Sequence, residues 1–225
     1  LDGNNVRDKF DVLSSHLLQN PNIESVGSAF GVPGSDSFSM SGISVESEDG
    51  EMIEKVFQSI RVDNGYFSTL QIPILLGRDF LPNVGNDTTS SVIVNEEMVK
   101  HMGWEEPLGK KFSVIISRAL DTKEVKVVGV TQNFHIRSLQ EPIEPMVIHN
   151  TINNGQMIVR IKAGRIATAL DEIENIYTSV ITNRPFEYSF IDQDFSTQYE
   201  ADQQRGEIFA IFSILTILIA CLGLF

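Results

Sequence analysis

The sequence predicts an α+β fold of two lobes, a split βαβ lobe with a strand-rich mixed α/β lobe inserted into it, followed by the start of a transmembrane helix. Three observations carry this. First, two amphipathic helical stretches lie far apart in the chain, each beside short strand-like runs, at 5–30 and 156–191. Second, the region between them, roughly 64–150, is rich in short strands with only brief helices and has the length of an inserted subdomain. Third, residues 1–207 hold every Asp, Glu, Lys and Arg, whereas 208–225 hold none.

In chain order, Val6, Phe10, Leu13 and Leu17 fall at i, i+4, i+7 and i+11, one apolar helix face across Asn5–Gln19. Asn20-Pro21 ends it, because the residue before proline is pushed out of the helical region. Strands are expected at 23–30, 39–46 and 53–62, with a Gly/Pro loop at 31–36 and a hairpin turn at Asp49-Gly50. A short helix at 64–70 is followed by loop at Gly77–Phe80 and at 83–90. Ser91–Val94 reads as a strand and Glu96–Met102 as a helix capped by Asn95. Further strands are expected at 111–116, 125–132, 146–149 and 156–162. Ile166, Leu170, Ile173, Tyr177 and Val180 mark the second amphipathic helix, and Phe186–Ile191 is expected as a final strand after Pro185. The domain boundaries drawn from this order are 1–62 with 151–193 for the split lobe, 63–150 for the insert, 194–207 for a stalk and 208–225 for the membrane helix start.

The last 18 residues, Ile208–Phe225, are interrupted only by Ser213, Thr216 and Gly223. A run of about 18 uncharged apolar residues qualifies as a membrane-helix candidate. The competing reading is a buried C-terminal core helix, which would ordinarily keep a polar stripe. Run together, Phe195–Phe225 as one helix would be roughly 45 Å long at 1.5 Å per residue, polar first and apolar later, like a stalk entering a membrane. Leu1–Asn5 lacks the basic and apolar regions of a signal peptide, so an upstream membrane helix is expected for a domain lying outside the cytoplasm.

Of the 225 residues, 30 are Asp or Glu and 17 are Lys or Arg, a formal net charge of -13. Such a balance argues against nucleic acid, whose phosphates need basic patches. The single cysteine, Cys221, lies in the apolar tail, which excludes a disulfide framework or a cysteine zinc cluster within the chain.

A search for chemistry finds no GxxxxGK[ST] loop and no GxGxxG. The histidines are His16, His101, His135 and His149, none at HExxH spacing. His16 reads as solvated on the polar side of the first helix. His135 is the most informative, in Asn133-Phe134-His135-Ile136-Arg137-Ser138. A catalytic reading pairs it with Ser138 and Glu141 or Glu144. The favoured reading is a structured turn at Asn133, Phe134 and His135, with Phe134 plugging the core, because adjacency in sequence is not triad geometry. Glu46, Glu48, Asp49 and Glu51 form an acidic hairpin tip without the ligand spacing of a calcium loop. Glu96-Glu97 and Glu105-Glu106 read as solvated surface, and Trp104 as closing a small core rather than binding a ligand. Asn86-Asp87-Thr88 has the form of a glycosylation sequon, which matters only in a secreted eukaryotic protein. No catalytic residue, cofactor site or metal site is assigned.

Several stretches then resemble a known family. Val62–Phe67 through Ile72–Phe80 is similar to the "VDxxYFxxLxIxLxxGRxF" stretch of MacB-like periplasmic core domains. Val92–Glu96 with Pro107–Lys110 resembles "VIVNE…PLGK", and Val127–Val130 through Phe134-His135 and Ser138-Leu139 resembles "VVGVVxDFHxxSL". Phe209–Phe225 looks like the beginning of the FtsX-like permease helix. The likeness covers nearly the whole chain and is closest in wording to Bacteroidetes-type permeases.

The resemblance implies a permease subunit of a MacB/FtsX/LolE-type ABC transporter in the bacterial inner membrane, with this domain on the periplasmic side. It implies a porter-like, ferredoxin-like split lobe, an inserted lobe and a preceding membrane helix and strand that this sequence lacks. The implied partners are a cytoplasmic ABC ATPase, which alone uses ATP, a second permease copy or homologue, and a periplasmic adaptor or lipoprotein. The implied action is non-enzymatic mechanotransmission, with the stalk, including Phe195, Tyr199 and Arg205, coupling membrane-helix motion to the lobes. Two rivals are a ligand-binding extracytoplasmic sensor of a membrane receptor and a membrane-anchored hydrolase using His135 and Ser138.

Overall fold

The computed structural model describes residues 3–35, 38–81, 90–115, 122–137, 141–151 and 155–193, together with Phe212, Ser213, Thr216 and Ile219. Helix α1 spans Gly3–Leu18, and strands β1, β2 and β3 span Ile23–Phe30, Ser39–Glu46 and Met52–Val62. Helix α2 is Tyr66–Leu70, β4 is Ile74–Gly77, β5 is Ser91–Asn95 and α3 is Glu96–Met102. Strands β6 to β9 are Lys111–Ile115, Thr122–Thr131, Met146–Asn150 and Gln156–Ile161, and α4 is Ile166–Val180.

All nine strands share one sheet, in the order β2-β6-β7-β5-β8-β3-β1-β9 with β4 added to β7. Because β2 also pairs with β3 along Ser39–Glu46, six of these strands close into a ring. Closure removes free ladder edges within the ring. Pairs β3–β8 and β5–β7 are parallel and the other ring pairs are antiparallel. The alternating inward residues Ile43, Val45, Phe57, Val92, Val94, Phe112, Val125, Val127 and Val147 form one buried core, onto which Met98, Met102 and Trp104 pack.

Strand β3 is 11 residues long and serves two units. Its first part pairs with β2. Its last residues pair with β1, as Ala29↔Val62 and Phe30↔Arg61. Beyond β1 lies β9, antiparallel to it. Leu13 and Leu17 of α1 and Ala169 and Ile173 of α4 bury against Ile23 and Val26 of β1. A third cluster joins the two units, with Ala29, Ile60, Tyr66, Phe67, Ile93, Met146 and Ile158 all buried together. The sequence reading grouped 39–62 with the split lobe, yet β2 and the start of β3 contribute Ile43, Val45 and Phe57 to the ring.

Most element positions follow the sequence patterns, and three differ. Ile74–Gly77, where the pattern predicts no strand and a loop from Gly77, is a strand, because β7 starts at Thr122 and is long enough to hold β6 at one end and β4 at the other. In α4, Ile173, Tyr177 and Val180 pack inward as expected, and only the first turn differs. Ala169 rather than Ile166 enters the core, and Ile166 is exposed. The expected final strand Phe186–Ile191 is corrected. It has no strand partner among the described residues, and without a ladder its period-2 aromatics do not make a strand. They stack instead, Tyr177 on Phe186 at 5.3 Å, Phe186 on Tyr188 at 5.6 Å and Tyr188 on Phe190 at 5.6 Å. The described residues therefore supply β9 and α4 but not the closing strand of the expected βαβ unit.

The stalk at 194–207, with Phe195, Tyr199 and Arg205, lies outside the described residues, as does most of 208–225. Phe212, Ser213, Thr216 and Ile219 are helical and exposed, and the Thr216 hydroxyl donates to the Phe212 carbonyl at 2.7 Å. Among the described residues no helix is long and apolar enough to cross a membrane.

Candidate functional site

The turn that follows β7 is tied down at Asn133, Phe134, Ile136 and Arg137. The Asn133 backbone N–H donates to Glu96 Oε2 at 2.9 Å, and the Glu97 N–H donates to Asn133 Oδ1 at 3.0 Å. This reciprocal pair fastens the turn to the first turn of α3, where orphan N–H groups need acceptors. Phe134 packs into the central cluster with its ring 6.3 Å from that of Tyr66. Ile136 is buried, and its carbonyl accepts from the Gly34 N–H at 2.8 Å. Arg137 forms an ion pair with Glu141 at 2.9 Å and lies over the Phe38 ring at 5.2 Å.

His135, Arg137, Glu141 and Glu144 thus rim one cleft, as their sequence proximity allowed. Its volume is about 20 Å³, room for about one water molecule. That is far below the ≈ 300 Å³ or more of an ordinary small-molecule pocket. Glu141 is engaged by Arg137, and Ser138, the proposed nucleophile of the catalytic reading, lies outside the described residues.

Beneath the cleft sits Asn95, wholly buried. Its Oδ1 accepts from the Met98 N–H at 3.0 Å, which caps α3, and from the Met146 N–H, also at 3.0 Å. Its Nδ2 donates to the Glu144 carbonyl at 2.9 Å. One side chain therefore joins β5, α3 and the start of β8. The cap was legible in the sequence; the two links across about 50 residues were not, since a local pattern carries no distant partner.

A second joint holds α2. Asp63 Oδ2 accepts from the Ser28 hydroxyl and Oδ1 from the Gly65 N–H, each at 3.0 Å, while the Asp63 N–H donates to the Ser28 carbonyl at 2.9 Å. Gly27 and Gly65 bring two backbones into direct contact, and a Cβ on Gly65 would collide with the Val26 carbonyl oxygen. A third joint repeats this at Gly129, where a Cβ would collide with the Arg78 carbonyl oxygen. The Arg78 N–H donates to the Val128 carbonyl at 3.0 Å, and Phe80 is buried beyond it.

These joints leave titratable groups partly dehydrated. Burial raises the Asp63 carboxyl above its ordinary value against the pull of its hydrogen bonds. Burial pushes Asp79 up to about 6, with the nearby Asp63 charge adding to the effect. Burial and then the Arg61 charge bring His149 down to about 4. Tyr66, fully buried, has its hydroxyl pushed well up, and that hydroxyl donates to the Gly31 carbonyl at 3.3 Å.

The remaining sequence candidates are dispersed. His101 stacks edge-on against Phe57 at 5.9 Å and sits 3.3 Å from Lys55 Nζ. His16 borders an open surface hollow near Glu172, which is held by Asn20 and Asn22. Among the described residues no three His, Cys, Asp or Glu side chains converge as metal ligands. Trp104 is buried, its indole N–H donating to the Glu46 carbonyl at 2.9 Å. The acidic hairpin tip is gripped by Lys110, which donates to the Ser47 and Glu48 carbonyls and pairs with the Glu48 carboxylate at 3.0 Å.

No family model and no curated protein matches the chain. Solved structures do. The periplasmic region of MacB from Actinobacillus actinomycetemcomitans is 16% identical, with a TM-score of 0.56 over 83% of this chain and 81% of that one. The extracellular domain of the noncanonic ABC-type transporter YknZ from Gram-positive bacteria is 15% identical, with a TM-score of 0.51 over 74% of this chain and 81% of that one. The ring of strands, the helical pair on β1 and β9 and the joints between them thus make up a chain with the fold of the MacB-like periplasmic domain of ABC transporter permeases.

Proposed function

We propose that this chain is the extracytoplasmic domain of an ABC transporter permease subunit, on the periplasmic side of a bacterial inner membrane. It is non-catalytic, and it couples ATP-driven movement of membrane helices to the handling of a periplasmic substrate or partner, in efflux or in lipoprotein or peptide export. The observation that carries this reading is the MacB-like fold over 83% of the chain. The cleft beside His135, with room for about one water, supports a role in shape rather than in turnover. ATP is used by a separate cytoplasmic ATPase, and the permease works beside a second copy or homologue.

The division of labour follows the sheet. The unit of α1, α4, β1 and β9 receives motion from the stalk at 194–207, and the ring presents the working surface. Because β3 belongs to both, the two units move largely as one body, and a displacement at the stalk reaches the ring through β3 and the shared cluster around Tyr66 and Ile60.

The test uses the full permease with its ATPase in proteoliposomes. Proline placed at Phe195 or Tyr199 interrupts a helical stalk. Export is expected to fall at least tenfold while basal ATP hydrolysis persists. Transport and coupling that remain intact would overturn the coupling role. A signalling domain encoded directly after the membrane segment, in place of further membrane helices, would favour the sensor reading.

A further inference from the structure

The β2–β3 hairpin has two unlike faces. One turns Ile43, Val45 and Phe57 into the ring core. The other is set by register, with Met40↔Gln58, Gly42↔Val56, Ser44↔Glu54 and Glu46↔Met52 side by side. On this outer face Met40, Val56 and Met52 are 56%, 62% and 47% exposed. Gly42 leaves a dip beside Val56, since a Cβ there would meet nothing within 4 Å. Glu54, opposite Ser44, lies on the face between Val56 and Met52, and Glu48, Asp49 and Glu51 are exposed in the turn beyond Met52.

We infer that this face docks a basic amphipathic helix from a protein partner. Methionines are soft and reshape easily, which suits an apolar helix face laid over a dip. Lysines or arginines flanking that helix would meet the carboxylates. Lys110 already answers Glu48, and Glu46 accepts from the Lys111 N–H at 3.1 Å, so Asp49, Glu51 and Glu54 are the carboxylates left to a partner's cations. A second copy of the chain is disfavoured. A two-fold contact would set the same acidic patch near itself in a protein of charge -13. Anionic lipid is repelled for the same reason. The inference does not rest on the permease reading.

The test titrates the full 225-residue chain, in non-ionic detergent, with a 15-residue leucine/lysine peptide of helical period and with its glutamate-for-lysine twin. Binding is followed by calorimetry and by NMR shift mapping. The lysine peptide is expected to bind with shifts centred on Met40, Met52 and Val56, and the glutamate twin at least tenfold more weakly. The deciding variant is Val56→Glu, which adds negative charge to an exposed position. Docking on the apolar strip predicts at least tenfold weaker binding. Simple charge attraction predicts equal or tighter binding, which would overturn the proposal. Gly42→Leu, which fills the dip, is expected to weaken binding as well and guards against misfolding of the first variant. Shifts centred elsewhere, no binding, a dimer abolished by Val56→Glu, or capture by anionic vesicles would each refute it.

Discussion

Asn95→Ala is the most exacting test of how this fold is joined. The substitution deletes one acceptor that serves two N–H groups and one donor that serves a carbonyl. Met98 and Met146 are almost fully buried, so water has little access to their orphaned N–H groups. A buried group left unpaired costs about 1–3 kcal/mol, and loss of a helix N-cap alone costs about 0.5–2 kcal/mol. Two orphaned donors and a weakened carbonyl together give about 3–5 kcal/mol, a large share of the roughly 5–15 kcal/mol that holds an ordinary domain folded. Asn95→Asp keeps the acceptor for both N–H groups but sets a carboxylate oxygen against the Glu144 carbonyl, so it should fall between the two. Urea denaturation of all three proteins at pH 7.5 measures this, with unchanged m-values required for the comparison. Asn95→Ala costing under about 1 kcal/mol would show that the three contacts are not a shared joint.

The other predictions probe the same architecture. Gly65→Ala and Gly129→Ala each force a Cβ into a carbonyl oxygen and should cost about 2–3 kcal/mol by thermal or chemical denaturation, while Gly42→Ala, facing open space, should cost little. Lys110→Met removes the grip on the hairpin tip, and amide exchange at Ser47–Glu51 should accelerate at least tenfold while exchange in β5 stays unchanged. Asp79, raised to about 6, favours the folded state when protonated, so its contribution is lost as pH rises from about 4 to about 6; Asp79→Asn should therefore gain about 1 kcal/mol at pH 7.5, after solvent screening. His149, brought down to about 4, acts in the opposite sense, its neutral form favouring the fold so that stability falls as pH drops from 6.5 towards 4. Equilibrium unfolding of Asp79→Asn across pH 4–7 should therefore show a steeper acid loss than the parent, and a parallel curve would contradict the Asp79 assignment.

How much was legible follows from how local each signal is. The α1 stripe of Leu13 and Leu17, the Asn95 cap and the Asp49-Gly50 turn are set by residues within one or two turns of each other, and they appear where the sequence places them. The closure of the ring was not legible, because it depends on Ser44 and Val45 meeting Ser113 and Phe112 across nearly 70 residues. Nor was the absence of a ladder at Phe186–Ile191. The period-2 pattern there records side chains sharing a face, which stacking satisfies without a hydrogen-bonded neighbour. At the His135 turn, proximity in sequence did bring His135, Arg137 and Glu141 together, but the resulting cleft is also walled by Gln58 of β3 and Met146 of β8, the former from far away in the chain.

The stretches through which the sequence resembles MacB-like domains lie at the joints rather than around a cavity. Val62–Phe67 holds Asp63 and Gly65, Gly77–Phe80 and Val127–Val130 hold the Arg78–Gly129 contact, and Val92–Glu96 holds Asn95. Each joint fixes a backbone crossing that tolerates one side chain or none, so its residues are dictated by geometry even where the surrounding apolar core can be repacked. A fold can therefore be shared at 16% identity. The same reasoning separates what can vary. The exposed strip of Met40, Met52 and Val56 makes no such crossing, and changes there cost the fold little. On the proposed reading, partner choice could thus be rewritten on the ring's outer face without disturbing the joints at Asp63, Asn95 and Gly129.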